Sequence, residues 1–407
     1  MRIQNKWRPL GAMLVTLVLA GCGGSGDSVP VAGDIVSADA YSAPAAITAD
    51  SRRLIHWMRG ANGQLSKATT LLFVPRGTAP TGGWPVVSWV HGTTTVGSGA
   101  PAAATCSASE SATLDGGLTA DGLASNYVNT VASLVAAGYA VVAPDLEGQG
   151  AEAQRNGTPQ SYYNLASSGR AVAAGILAAH KAVTGLSPNW ASVGHSEGGH
   201  AVLALESTAG DASAYSYKGA VAIAPFNSIE ASVSLMDAVA AADPVNLVGY
   251  RTVQQMFVGM MATALATQQP SFQPSQVMGA DLLALMPSFK TQCISKVFGM
   301  VGQDVATKTP AAYKGYSSQW AADASMKTFL QTNDVAAING FRVTQPTLVL
   351  QGTADPFVFE SLQTPLVARW RTAGMPITYK TFSGADHSTI MTQGNADMLA
   401  FLRTILR

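Results

Sequence analysis

The chain has 407 residues, of which 47% are hydrophobic and 12% are charged. This composition excludes a disordered or collagen-like protein, and the length suits one large domain or two ordinary ones. The formal net charge is zero, with 24 basic and 24 acidic residues. Because no basic block stands out, composition gives no support for nucleic acid or an anionic surface as a partner. A partner must therefore be inferred from a specific site.

Residues 1–22 have the pattern of an export signal. A basic segment is followed by an apolar run at 10–20 that is too short to span a bilayer. Residues 1–22 end in Leu-Ala-Gly-Cys, which resembles the bacterial lipobox, so we expect Cys22 to carry a lipid anchor. The alternative is a chance cysteine after an ordinary signal peptide. Gly23 is not the aspartate that retains lipoproteins at the inner membrane, which favours an exported protein at the outer membrane or cell surface.

A stretch rich in glycine and serine follows the anchor cysteine and predicts a flexible tether, which with an amino-terminal extension covers residues 23–48. The two remaining cysteines are Cys106 and Cys293. Disulfides persist outside the cytosol, where this chain is expected. The residues alone leave two alternatives open, an intramolecular bridge and two buried thiols that never meet.

Short apolar runs alternate with longer helical patterns along the rest of the chain. This alternation predicts an α/β fold in which helices flank a mostly parallel central sheet. The predicted elements, in chain order, are strands at 68–74 and 84–90, a helix at 123–137, a strand at 138–144, a helix at 167–182, a strand at 190–193, a helical run after residue 200, strands at 218–225, 346–350 and 377–382, and a helix at 395–406. The strand at 138–144 is almost entirely apolar, as expected of a strand buried on both faces.

A long insertion separates the strand at 218–225 from the strand at 346–350. It exceeds what a simple crossover needs, so we expect a helical cap at 227–341 on a core formed by 49–226 and 342–407. Eight of the 14 methionines fall in this insertion. Methionine usually fills gaps in a core, but beside an active site it also suits an adaptable apolar pocket. The sequence leaves both interpretations open.

The sequence GHSEGGH at 194–200 is the strongest candidate for a catalytic motif. A serine hydroxyl is a weak nucleophile, and one common solution exposes it on a strained turn between a strand and a helix. That turn needs small residues two positions to either side, and Gly194 and Gly198 meet the need around Ser196. The pattern arises by chance in many chains, but here it follows an apolar strand and precedes a helical run. We therefore predict Ser196 as the nucleophile.

The partners of a nucleophilic serine follow in the order acid, then histidine. Asp355 comes at the end of the apolar segment LVLQGTAD, and His387 comes after the last predicted strand, in the sequence GADH. We expect His387 to act as the base for Ser196 and Asp355 to orient the imidazole. Asp386 competes with Asp355 as the acid, but a residue adjacent to the histidine is poorly placed to hold its ring.

An oxyanion intermediate needs hydrogen-bond donors, and two can be predicted from the sequence. One is the backbone N–H of Glu197, directly after the serine. The other should come from the loop HGTTT after the strand at 84–90, where Thr93 is the best candidate and Thr94 the reserve. We expect the histidines beside the serine, His195 and His200, to pack around the site or shape it.

Several of these segments together resemble the secretory (lipase A-type) lipases of the α/β-hydrolase superfamily: WVHGTTTVGSGAPAAATCSASE, GYAVVAPDLEGQG, GHSEGGHA, LVLQGTADPFV and GADHSTI. The resemblance covers most of residues 50–407. It implies an α/β-hydrolase fold and hydrolysis of acyl esters through an acyl-enzyme, without a metal or organic cofactor. In that family a cysteine in a CAPS-like context bridges to the cap, which implies a disulfide between Cys106 and Cys293. Here the context is CSAS.

Three functional classes are compatible with these observations. A carboxylester hydrolase, either a lipase or an esterase acting on an acyl ester or lipid, is favoured by the complete set of catalytic groups. A serine peptidase of the same fold is the alternative, but one that binds a free amino terminus would want clustered acids in its cap. The insertion has only scattered ones, such as Glu230, Asp237, Asp243 and Asp281. A catalytically inactive binding lipoprotein would be expected to have lost a catalytic group.

Overall fold

The computed structural model describes residues 29–93, 123–243, 245–292, 294–308 and 312–406. In these ranges nine strands form one sheet, namely β1 (Ile35–Ala40), β2 (Ala49–Arg59), β3 (Leu65–Pro75), β4 (Trp84–Val90), β5 (Ala140–Pro144), β6 (Leu186–His195), β7 (Ser216–Ile223), β8 (Thr347–Gly352) and β9 (Ile377–Phe382). Their order across the sheet is β1-β2-β3-β5-β4-β6-β7-β8-β9. Strands β4 to β9 run parallel and β1 to β3 pair antiparallel, which confirms the predicted mostly parallel sheet.

The described helices are α1 (Leu123–Ala136), α2 (Gly150–Arg155), α3 (Leu165–Ala182), α4 (Glu197–Leu203), α5 (Leu205–Thr208), α6 (Ile229–Ala242), α7 (Leu247–Gln268), α8 (Ala280–Ala284), α9 (Met286–Thr291), α10 (Ile294–Thr307), α11 (Ala324–Asn333), α12 (Glu360–Thr372), α13 (Thr389–Gln393) and α14 (Asn395–Ile405). None of those in the described ranges combines the length and apolarity needed to cross a bilayer. Short 3₁₀ turns at 210–212, 274–276 and 320–322 complete the regular structure.

The central strands are largely apolar because both faces of the sheet are covered. Successive residues of a strand point to opposite faces. In β5, Val141 and Ala143 belong to one buried cluster, with side chains of α1 and the 229–330 helices, whereas Val142 belongs to a second cluster with α3 and α4. This double burial explains why an apolar run predicts the central parallel strands.

Strands β1 and β2 do not follow from the sequence patterns. β1 lies within the segment predicted as tether and amino-terminal extension, and it pairs only with β2 at the edge of the sheet. Most of its residues are at least partly exposed, so no apolar run marks it. β2 contains charged residues, but Leu54, His56 and Met58 turn into the core. Backbone pairing, rather than side-chain pattern, therefore places these two strands.

The regular structure in the described residues between β7 and β8 consists of helices from α6 to α11, two 3₁₀ turns and one isolated bridge between Met278 and Tyr316. This segment packs into the same apolar cluster as one face of the sheet, and Val31–Arg407 form one compact unit. Six of its methionines are buried in that cluster, namely Met236, Met256, Met260, Met261, Met278 and Met326, and Met256 also lines the pocket described below. Core filling is therefore the main use of these methionines.

Candidate active site

The predicted nucleophile occupies a sharp turn between β6 and α4. Ser196 has φ 57° and ψ −118°, a conformation that a residue with a side chain rarely adopts. Two of its main-chain hydrogen bonds tie it to β7 and the residues after that strand: its N–H donates to the Ile223 carbonyl and its carbonyl accepts the Phe226 N–H, both at 3.0 Å. Strain of this kind persists only where the surroundings enforce it, and it is common at active sites.

The two glycines of the motif are required by close backbone contacts. A Cβ atom on Gly194 would lie 2.2 Å from the carbonyl oxygen of Gly198. A Cβ atom on Gly198 would lie 2.0 Å from the carbonyl oxygen of Val90, at the end of β4. These distances are too short for any side chain, so the glycines let the turn pack against the sheet.

Asp355 and His387 meet although β8 and β9 present them from separate loops. The Nδ1 atom of His387 lies 2.7 Å from Oδ2 of Asp355. The other carboxylate oxygen accepts the N–H groups of Phe357 and Val358, both at 2.9 Å. Both partners are buried, and His387 lines the same pocket as Ser196. The structure therefore brings the three predicted catalytic side chains to one place.

Asp386, the competing candidate for the acid, turns away to cap α13. Its Oδ1 atom accepts the N–H of Ser388 at 2.9 Å, and the N–H and hydroxyl of Thr389 at 2.7 and 2.8 Å. Capping of this type satisfies the unpaired N–H groups at a helix start. Asp355, and not Asp386, is the carboxylate on the His387 ring.

The loop after β4 approaches the nucleophile closely. Thr93 lines the pocket, and a Cβ atom on Gly92 would lie 3.1 Å from Cβ of Ser196. The Thr93 hydroxyl donates to Oε2 of Glu197 at 3.0 Å. Its hydrogen is therefore engaged, which leaves the Thr93 main-chain N–H as the candidate oxyanion donor. The reserve candidate, Thr94, lies outside the described residues.

The side chain of Glu197 makes contacts that the sequence did not suggest. Its carboxyl group is buried, and burial raises its pKa to about 7 against the opposing effect of the hydrogen bonds from Thr93 and from the Tyr163 N–H. Glu197 thus ties the loop after β4 to residue 163. A charged residue among the small residues of the motif is the only sequence signal of this contact.

The two histidines beside the nucleophile are buried and neutral. Burial lowers the pKa of His200 to about 3, and burial, followed by the charge of His387, places that of His195 well below its usual range. His200 stacks on Tyr163 with ring centroids 4.2 Å apart, and its Nε2 donates to the Asn333 carbonyl at 2.6 Å. Both residues pack around the site, as expected from the sequence.

The pocket over Ser196 is apolar apart from Ser196, His387, Thr93, Tyr127 and His195. Its remaining wall comes mainly from the insertion and includes Phe226, Val253, Met256, Phe257, Ile294, Phe298 and Phe357. No acidic side chain appears in this lining, which concerns described residues only. In the same ranges, no three His, Cys, Asp or Glu side chains are grouped to hold a metal ion. The pocket suits a hydrocarbon group next to a reactive carbonyl.

Comparison with known proteins gives one family and several similar structures. A family model described as the alpha/beta hydrolase family matches residues 89–400. Candida antarctica lipase A in its closed state superposes with a TM-score of 0.68 at 16% identity, over 93% of this chain and 83% of that one. A ligand-bound form of the rice cell wall degrading esterase LipA from Xanthomonas oryzae gives 0.66 at 16% identity, over 93% and 99%.

A putative hydrolase from Legionella pneumophila is also similar, with a TM-score of 0.64 at 16% identity over 88% of this chain and 90% of that one. No curated protein sequence matches the chain. At these identities the likeness to solved structures establishes the fold.

Proposed function

Because the chain belongs to the alpha/beta hydrolase family, we propose that it is a serine carboxylester hydrolase, a lipase or an esterase, with Ser196 as nucleophile. The predicted α/β-hydrolase fold is confirmed by this membership and by the similar structures. The narrower resemblance to secretory lipases stays a prediction. One observation carries the proposal: His387, bonded to Asp355 at 2.7 Å, lines one apolar pocket with a strained serine.

The reaction follows from the groups around the pocket. The Ser196 oxygen attacks the ester carbonyl carbon while His387 takes the hydroxyl proton, which gives a tetrahedral oxyanion. The N–H groups of Glu197 and Thr93 stabilise that negative charge. The imidazolium then gives its proton to the leaving alcohol, and an acyl-enzyme remains. Water, deprotonated by the same histidine, releases the carboxylic acid and restores the serine.

Asp355 acts through His387. One carboxylate oxygen accepts the Nδ1–H, which leaves Nε2 as the base, and the other is fixed by two backbone N–H groups. The carboxylate stabilises the imidazolium that forms during each half of the reaction. Its two backbone hydrogen bonds hold the carboxylate in the orientation that faces the imidazole.

The apolar lining favours an acyl group over the amino terminus of a peptide. A peptidase that binds a free amino group needs a carboxylate beside the scissile bond, and two of the scattered acids of the insertion are paired elsewhere. Asp237 forms an ion pair with Arg251, and Asp281 forms one with Lys308. The names of the similar proteins, a lipase and a cell wall degrading esterase, also support ester hydrolysis.

We also propose export, a lipid anchor on Cys22 and a disulfide between Cys106 and Cys293. These three cysteines lie outside the described residues, so sequence and family resemblance alone support the proposals. Mass spectrometry of the protein purified from membranes should find a diacylated first residue at Cys22 and no free thiol before reduction. Two free thiols would contradict the disulfide.

The ester hydrolase and the peptidase differ in a direct assay. We expect the wild type to release p-nitrophenol from acyl esters, and Ser196→Ala to lose this activity while keeping its fold. The profile across acyl chain lengths then separates a lipase from an esterase. Cleavage of aminoacyl anilides without ester turnover would instead support the peptidase.

A further inference from the structure

Three hydrogen bonds in a row connect the loop of Thr93 to the loop of His387. The Gly92 N–H donates to the Tyr127 hydroxyl at 3.1 Å, and this hydroxyl lies 3.1 Å from His195 Nδ1. His195 Nε2 lies 2.8 Å from the main-chain carbonyl oxygen of His387. The row therefore includes Gly92, which precedes the candidate oxyanion donor, and His195, which precedes Ser196. It ends at the backbone of His387, the candidate base.

The direction of each bond follows from the His387 carbonyl, which can only accept. His195 Nε2 must carry the hydrogen, so Nδ1 of the neutral ring accepts the hydroxyl hydrogen of Tyr127. A lone pair of the Tyr127 oxygen in turn accepts the Gly92 N–H. Every member of the row thus has the donor or acceptor that its neighbour requires.

Burial gives these bonds their importance. Tyr127 is 1% exposed and His195 is 0% exposed, so breaking one bond leaves a polar group without water to replace the partner. Ring contacts fix both side chains, because Tyr127 packs edge-on against Trp89 and His195 with centroid distances of 5.4 and 5.6 Å.

A second contact ties the same helix to the base loop. Asn126, beside Tyr127 on α1, donates through Nδ2 to the carbonyl and the hydroxyl of Ser388, at 3.0 and 2.7 Å. The helix is therefore attached independently to the residue after His387. A displacement of Tyr127 relative to that loop is opposed by both sets of bonds.

We propose that Tyr127 and His195 are positioning residues, which hold the Thr93 N–H and the His387 ring in the correct geometry around Ser196. This inference rests on the proposed function, and it assigns no proton transfer to either residue. A displacement of about 1 Å in a catalytic group can slow a reaction about a hundredfold. Loss of the Tyr127 hydroxyl should therefore slow the chemical step and leave substrate binding nearly unchanged.

The variant Tyr127→Phe removes the hydroxyl and keeps the ring. Thr70→Val is its matched control, because the Thr70 hydroxyl bonds at 2.8 Å to Nε2 of another fully buried histidine, His56, away from the pocket lining. We expect kcat of Tyr127→Phe to fall about 10- to 100-fold with KM within about twofold. Thr70→Val should keep the wild-type kcat even where its melting temperature falls. If the wild type is active and Tyr127→Phe has the same kcat, the positioning role is contradicted, but the proposed function is not.

Hydrogen exchange gives a readout that does not depend on activity. The Gly92 amide should exchange at least about tenfold faster in Tyr127→Phe than in the wild type, and at the wild-type rate in Thr70→Val. Unchanged exchange at Gly92 would overturn the proposed row. An inactive wild type would contradict the proposed function instead, so the two failures are distinguishable.

The double variant tests whether the two side chains act as one unit. His195→Leu and Tyr127→Phe each interrupt the same row, so their combination should lower kcat no further than the more damaging single change. Losses that multiply would show independent roles and contradict the proposal.

Discussion

At the scale of single residues, the site depends on polar groups that have defined hydrogen-bond partners. Asp355 receives two backbone N–H groups and the His387 ring, while the neighbouring Asp386 caps a helix. Two carboxylates close to one histidine thus have separate tasks, set by the loops that carry them. The difference has a measurable consequence.

Replacement of each aspartate by asparagine should separate the two tasks. Asp355→Asn removes the charge opposite the imidazolium and disturbs the tautomer, so kcat should fall about 10³- to 10⁴-fold. Asp386→Asn keeps an oxygen that caps α13, so kcat should stay within about threefold of the wild type. Steady-state kinetics on one ester measures both, and a larger loss in Asp386→Asn would reverse the assignment of the acid.

Glu197 should make the protein less stable as pH rises, whereas a carboxylate whose pKa is lowered by folding has the opposite effect. Burial raises its pKa from 4.5 to about 7, so the native state prefers the protonated form. The contribution of Glu197 to the free energy of unfolding is greatest below its unfolded pKa of 4.5. It is lost as pH rises through about 7, and the loss is about 3 kcal/mol at most.

The neutral variant Glu197→Gln lacks this titration. Its melting temperature should therefore rise relative to that of the wild type as pH increases from 4.5 to 8. Thermal unfolding of both proteins across this range measures the difference, and a constant difference would mean that burial does not raise the pKa of Glu197.

At the scale of elements, the turn between β6 and α4 is held by contacts that exclude a Cβ atom. Gly198 lies against the carbonyl oxygen of Val90, so the end of β4 and the start of α4 are as close as backbones allow. The same approach brings the loop after β4, which carries the candidate oxyanion donor Thr93, next to Ser196. Packing of the sheet and geometry of the site are therefore set by one glycine.

A methyl group at position 198 should push β4 and α4 apart. We expect Gly198→Ala to lose activity and about 2 to 4 kcal/mol of stability, because the clash is with backbone and cannot be relieved by a rotamer. Gly299→Ala, in open space on α10, is the control and should be neutral or stabilising by up to about 1 kcal/mol. Chemical unfolding with activity measurements compares them, and equal stability of the two variants would refute the contact argument.

At the scale of the whole molecule, the sequence predicts the strands that are buried on both faces and the site residues that follow a known motif order. Strands β4 to β8 are buried over most of their length and contain apolar runs, and the three candidate catalytic residues appear in their expected order. The edge strand β1 is missed because backbone pairing defines it. The contacts of Tyr127 with His195 are missed because the two residues lie 68 positions apart, and no local pattern joins them.

The central claim is that Ser196 forms a covalent acyl-enzyme, and active-site labelling tests it most directly. A p-nitrophenyl alkylphosphonate should release one equivalent of nitrophenol and leave a single adduct, which peptide mass spectrometry locates on Ser196. Labelling should disappear in Ser196→Ala and slow strongly in His387→Ala. An adduct on another residue, or ester turnover that survives in Ser196→Ala, would contradict the account.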